Sequence, residues 1–191
     1  MIKKQRVLLF HGRDKHPSDA WYPWLRDTCV ENDIKCDVPQ MPLTNPPVLD
    51  EWLSVITELR PNEETILIGH SRGGMAILRW LEKAPIRLGV KKVILIAANN
   101  PEYADSVLGD FYGKPYNFEK IKTHCSTFVQ FHSKDDDFVP IEAGIDNMSG
   151  LEGTLLTYNG LEHFGNNLVR MRDIFEIATD IRLPRKKIPI I

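Results

Sequence analysis

A serine placed to act as a nucleophile lies in Thr65–Gly74, TILIGHSRGG, where Gly69-His70-Ser71-Arg72-Gly73 reads G-x-S-x-G. So short a match can arise by chance, but an apolar strand pattern runs into this one and a helical pattern, Met75 to Lys83, leaves it. A turn tight enough to lift a hydroxyl above a sheet strains the serine backbone and crowds its neighbours. Glycine at positions 69 and 73 is what that geometry demands. The same turn leaves the Arg72 amide at a helix N-terminus, where a free N–H and the helix dipole suit a developing oxyanion. The competing reading is a plain strand-to-helix turn without chemistry.

A serine hydroxyl attacks well only when a base takes its proton, which calls for a histidine on a loop near the same sheet edge. Of the six histidines, His163 in NGLEHFGN follows the strand-like TLLTY and precedes the last amphipathic segment. That is the carboxyl-end loop where such sheets assemble their sites. His70 adjoins Ser71 and cannot reach back to activate it, so a packing role is expected. His132 follows a strand and is a weaker competitor, and His16 and His124 read as surface residues. The base in turn needs a carboxylate at the end of another strand, and FVQFHSKDDDFVP supplies Asp135, Asp136 and Asp137. Alternate side chains of extended backbone face opposite ways, so one of them can serve while its neighbours point elsewhere. Asp136 is the first choice, with Asp135 and Asp137 left open. The triplet lacks the spaced oxygens and glycine of a calcium loop, so no metal is expected, and the chemistry needs no cofactor.

A second oxyanion amide is expected just after the first strand, where Phe10-His11-Gly12-Arg13 lets the chain turn inward at Gly12. Arg13 is the candidate donor, and an ordinary strand-ending turn is the alternative. Trp24, Met75, Tyr112 and Phe164 are candidate pocket walls, each equally readable as core or cap packing.

These residues need a sheet to hold them. Apolar runs at Val7–Phe10, Thr65–Ile68, Lys92–Ala98, Thr127–Phe131 and Thr154–Tyr158 read as buried strands. Ile34–Val38, stopped by Pro39 and Pro42, reads as a strand nearer an edge. Helical spacing falls between them: Trp21, Trp24, Leu25 and Thr28; Leu49, Trp52, Leu53 and Ile56; Met75, Leu78 and Leu81. Another helix is expected from Pro140, and a last one with Leu168, Met171, Ile174, Phe175 and Ala178 on one face. Alternation of this kind predicts an α/β fold with three layers, a mostly parallel six-stranded sheet with helices on both faces. Residues 99–125 break the rhythm and carry Tyr103, Phe111, Tyr112, Tyr116 and Phe118. They form either a small cap or an irregular connection that buries its own aromatics. The tail LPRKKIPII, residues 183–191, has no reading.

The length of 191 residues suits a single domain spanning 1–191. With 42% apolar residues, 26% charged residues and a net charge of −2, neither disorder nor polyanion binding is indicated, so no nucleic-acid partner is expected. Cys29, Cys36 and Cys125 fit neither a disulfide framework nor a zinc site and read as reduced thiols. The run VLLF is too short for a signal-peptide core, and no segment approaches a membrane span. A cytoplasmic protein acting on a small-molecule substrate, without membrane association, is the expectation.

The chain resembles the small serine hydrolases typified by retinoblastoma-binding protein 9. AWYPWL at 20–25, QMP at 40–42, TILIGHS at 65–71, NFEKIK at 117–122, VQFHSKDDDFVP at 129–140 and EHF at 162–164 match that family's segments in order. The resemblance implies a minimal α/β-hydrolase fold, with the family's nucleophile falling on Ser71, its acid on Asp136 and its base on His163. It implies ester or amide hydrolysis through an acyl-enzyme. The other class of function is a catalytically weak binding or regulatory protein on the same fold. Family members often have proline where this chain has Asp137, and a glycine-richer loop in place of HGRDKHP. The retinoblastoma-pocket motif L-x-C-x-E is absent, since Leu59-Arg60-Pro61-Asn62-Glu63 has proline at the cysteine position, and no retinoblastoma-type partner is expected.

Overall fold

A computed structural model describes residues 4–42, 46–85, 87–103, 110–165 and 171–184. Six strands, β1 (Arg6–Phe10), β2 (Lys35–Asp37), β3 (Thr65–His70), β4 (Lys92–Ile96), β5 (Phe128–Ser133) and β6 (Thr154–Tyr158), form one sheet in the order β2-β1-β3-β4-β5-β6. Every neighbouring pair is parallel. β1, β3 and β4 carry near-continuous apolar runs because both faces are covered, whereas β5 also buries Gln130 and His132. Val7, Leu9, Ile66, Ile68, Ile94 and Ile96 point into one core. Leu8, Phe10, Leu67, Val93 and Leu95 point into the other.

The first core is closed by α1 (Tyr22–Glu31) and α6 (Arg172–Thr179), through Tyr22, Leu25, Cys29, Ile174, Phe175 and Ala178. The second is closed by α2 (Leu49–Glu58), α3 (Arg72–Lys83), the short α4 (Phe118–Lys122) and α5 (Ile141–Leu151). Trp52, Leu78, Ile121 and Met148 belong to that cluster. Helices therefore cover both faces, as the alternation predicts. Leu168, expected on the last helix, lies outside the described residues. Pro140 caps α5 from outside instead of occupying its first turn.

The edges differ from expectation in one respect. β2 is an edge strand, as its prolines required, but Thr154–Tyr158 is not buried: β6 closes the opposite edge and is half-exposed, with Thr154 and Thr157 turned to solvent. Leu155 packs on the second core and Leu156 and Tyr158 on the first, so both of its faces are partly covered. β5 also runs further than expected and takes in His132, so that residue is part of the sheet and not of the loop after it.

The segment 99–125 packs onto the second core through Phe111 and Tyr116, with the Phe111 ring 5.5 Å from that of Trp52. Residues 104–109 lie outside the described residues. Tyr103 and Tyr112 from the same segment reach the cavity at the carboxyl ends of the strands. It therefore buries part of its aromatics and lends the rest to the cavity wall. Cys29, Cys36 and Cys125 are free and buried. Among the described residues no helix is long and apolar enough to cross a membrane.

The direction in which strands are added reverses between β1 and β3: from β1 the sheet is built one way to β2, and from β3 the other way to β6. A crevice opens at such a switch point, above the carboxyl ends of the strands. The loops after β1, β3, β5 and β6 all open there.

Candidate active site

Ser71 ends β3 and caps α3 with φ 52° and ψ −118°, a strained backbone for a residue with a side chain. Crowding enforces it. A Cβ on Gly69 would stand 2.5 Å from the backbone of Gly74, and one on Gly73 would stand 2.1 Å from the Phe10 carbonyl oxygen. The Ser71 N–H donates to the Ile96 carbonyl at 2.7 Å, tying the turn to β4. The Arg72 N–H remains at the head of a 12-residue helix. Ser71 borders a cavity of about 540 Å³. Among the described residues its hydroxyl has no hydrogen-bond partner.

His163 borders the same cavity and receives its partner from the neighbouring loop, with Nδ1 at 2.7 Å from Asp136 Oδ2. The Asp136 side chain is fully buried, and its Oδ1 accepts the N–H groups of Phe138 and Val139, each at 2.9 Å. Asp135 turns away and accepts from the Ser133 hydroxyl and the Gly160 N–H. Asp137 sits on the cavity rim. Among the alternatives left open by the sequence, Asp136 is the carboxylate that meets the histidine. The three acids diverge, and among the described residues no group of His, Cys, Asp or Glu could hold a metal.

The His163 loop is itself held from below. Glu162 and Phe164 both have left-handed backbone, at φ 48° and φ 53°. Trp21 Nε1 donates to the Phe164 carbonyl at 3.2 Å, and His70 Nε2 donates to the His163 carbonyl at 2.8 Å. His70 Nδ1 then accepts the Tyr22 hydroxyl at 2.5 Å. Its two bonds fix the tautomer. Burial, and then the neighbouring His163, push the His70 imidazole down to about 3, so it stays neutral. His70 thus does more than pack: it joins the serine turn to the His163 loop. The signals were the segment AWYPWL and the histidine before Ser71, but no spacing rule links them.

His11 plays a similar part under the β1 loop. Its Nε2 accepts the Met41 N–H at 2.9 Å, so Nδ1 carries the proton and donates to the Gly12 carbonyl at 2.8 Å. Because a trans peptide sets C=O and N–H in opposite directions, the Arg13 N–H points away from His11. Arg13 lies on the cavity wall, beside its ion-pair partner Asp14 at 3.3 Å. His132 is buried beneath the acid loop and donates from Nε2 to the Val139 carbonyl at 3.0 Å, with Gln130 Nε2 donating to its Nδ1. It supports Asp136 and does not compete with His163. His16 is exposed as expected, but His124 is buried, bonded to the Leu88 carbonyl at 2.8 Å.

Of the expected pocket walls, Met75 and Tyr112 border the cavity. Trp24 and Phe164 do not: Trp24 packs against the first core, and Phe164 is fully buried in it, edge-on to Tyr158, anchoring the His163 loop. Sequence reasoning missed Phe138, which is 75% exposed with its ring 5.3 Å from that of His163, and Asn99, also on the wall. A larger groove of about 830 Å³ lies around the far end of α3, near Leu53, Trp80 and Leu88, and contains none of the site residues.

An all-parallel sheet flanked by helices, with a strained serine at the turn after β3 and an acid-bonded histidine after β6, defines an α/β hydrolase. The chain belongs to the serine hydrolase family, whose sequence pattern matches residues 7–167. It is similar to serine hydrolase RBBP9 of Rattus norvegicus, 32% identical over 77% of this chain and 79% of the relative. It is 27% identical to the putative hydrolase YdeN of Bacillus subtilis over 84% of this chain and 86% of that one. The crystal structure of the B. subtilis ydeN product superposes with a TM-score of 0.85 over 93% of this chain and 98% of that one, at 24% identity. Est1E of Butyrivibrio proteoclasticus, solved with ferulic acid bound, shares the fold at a TM-score of 0.70 and 14% identity, over 93% of this chain and 88% of its own.

Proposed function

We infer that this hydrolase cleaves a small carboxylic ester or amide through an acyl-enzyme on Ser71. His163 takes the Ser71 proton as Oγ bonds to the substrate carbonyl carbon, and the carbonyl π electrons move onto oxygen. The Arg72 and Arg13 amides receive that oxyanion. Collapse of the adduct breaks the bond to the leaving group, which takes the proton from His163. Water, deprotonated by His163, then releases the acid and restores Ser71. Asp136 holds the imidazole with Nε2 toward the serine and stabilises the imidazolium.

The observation that carries this reading is the buried Asp136 bonded to His163 Nδ1 on a cavity that Ser71 shares. A burial this complete is costly for a carboxylate without partners. Asp136 has hydrogen bonds on both oxygens. A fluorophosphonate probe tests it: covalent labelling of the wild-type protein at Ser71, absent in Ser71→Ala, is expected. Folded wild-type protein that resists the probe would sink the reading.

A further inference from the structure

Two arginines of α3 are buried to a similar degree, Arg72 at 4% and Arg79 at 7% exposure, and they are treated differently by the fold. Arg79 is fully engaged. It pairs with Glu82 at 2.8 Å, donates to the carbonyls of Phe111 and Lys114, and lies over the Tyr116 ring. Arg72 has no carboxylate partner among the described residues. Its Nε and Nη1 are buried without any hydrogen bond, and Nη2 makes only a 3.4 Å contact with the Tyr112 hydroxyl. The guanidinium is held by the faces of Phe111 and Tyr112, 5.3 and 5.5 Å from the ring centroids. Aromatic faces keep a cation in place but leave its N–H groups unmatched.

A buried guanidinium without an anion is an unfavourable arrangement that ordinary packing would replace with an apolar residue. This one follows the nucleophile directly, and Arg72 and Tyr112 both border the cavity. The acids on the cavity wall, Asp14, Asp137 and Glu162, are exposed and solvated, and Asp14 is already paired with Arg13. We propose that the Arg72 guanidinium is an anion subsite, so that the preferred substrate of this enzyme carries a carboxylate close to the scissile bond. The planar fork of arginine matches a carboxylate with paired hydrogen bonds, and the weak Tyr112 contact is the one such a ligand displaces. The proposal rests on the hydrolase reading of the same cavity.

Two substrate pairs test it on the full chain. The mono-4-nitrophenyl ester of adipic acid differs from its methyl ester by a carboxylate on the acyl side. 4-Acetoxybenzoate differs from its methyl ester by one on the alcohol side. In at least one pair kcat/KM should favour the acid by about tenfold or more, the scale of a hydrogen bond to a charged group. Arg72→Met should remove the preference and Arg72→Lys should keep part of it. A smaller wild-type ratio in both pairs overturns the subsite, and so does a preference that Arg72→Met leaves intact. Binding separates the two readings: adipate should raise the wild-type Tm more than its dimethyl ester does, and equal shifts overturn the subsite even where Ser71 labels fully. An adipate-specific shift in protein whose Ser71 refuses the fluorophosphonate keeps the subsite and overturns the hydrolase reading alone.

Discussion

On the β1–β3 side of the cavity, backbone packs against backbone: Gly73 lies against the Phe10 carbonyl, Gly69 against Gly74, and the strained Ser71 has no room to relax. On the β5–β6 side, Gly160 and Gly165, which flank His163, have open space where a Cβ would stand. The His163 ring is held by Asp136, and its loop by His70 and Trp21 through two carbonyls. One half of the site is set by excluded volume and the other by a short list of hydrogen bonds. The first kind of support fails all at once when an atom is added, whereas the second fails bond by bond.

The largest effect should come from the bond between Asp136 and His163, which on the proposed mechanism orients the imidazole and stabilises its protonated form. Asp136→Asn is expected to lower kcat/KM by about 10³- to 10⁴-fold, because the amide favours the wrong tautomer and cannot stabilise the imidazolium. Asp135→Asn and Asp137→Asn should cost under about tenfold, since one serves the β6 loop and the other the rim. Steady-state kinetics on any turned-over ester decides it. Equal losses in all three would contradict the geometry.

Next comes the crowded half. Gly73→Ala places a Cβ 2.1 Å from the Phe10 oxygen, where backbone and not a flexible side chain must move. A loss of about 3 kcal/mol or more in urea unfolding is expected. A stable Gly73→Ala protein with an unchanged labelling rate at Ser71 would show that crowding does not hold the turn.

The same division explains what could be read from the sequence. Steric demands leave residue types behind, so Gly69, Ser71 and Gly73 announced the turn, and the unbroken apolar runs of β1, β3 and β4 announced a sheet covered on both faces. Chain order was enough to reach His163 and the triplet Asp135–Asp137, with Asp136 as the first choice and its neighbours left open. What the sequence could not display are the Phe138 and Val139 amides that receive Asp136. Hydrogen-bonded supports leave no such trace. Tyr22 and His70 lie 48 positions apart, and neither type is required by any local conformation. Phe164 shows the reverse error: beside the base it looks like a pocket wall, but its left-handed backbone turns the ring into the core.

The smallest expected effects lie in the Tyr22–His70 support, and they sharpen the contrast because they separate positioning from folding. Tyr22→Phe removes the donor to His70 Nδ1 and should lower kcat by about tenfold with KM little changed, the cost of one buried bond. His70→Gln can still offer an N–H to the His163 carbonyl and should recover part of that loss relative to His70→Leu. The pH dependence of stability gives a second reading of the same residue. The folded-state pKa of His70 is about 3 against an ordinary 6.5, so between those values the unfolded chain binds a proton that the folded one does not. Its contribution to stability is therefore complete above about pH 6.5 and is lost as pH falls toward about 3. His11 and His132, also lowered by burial, act with the same sign. Unfolding free energies at pH 7 and pH 5 should differ by about 2 kcal/mol less in His70→Gln than in wild type. An unchanged difference would mean that His70 is protonated in the folded chain. It would then have no acceptor nitrogen for Tyr22, and the support under His163 would have to be built another way.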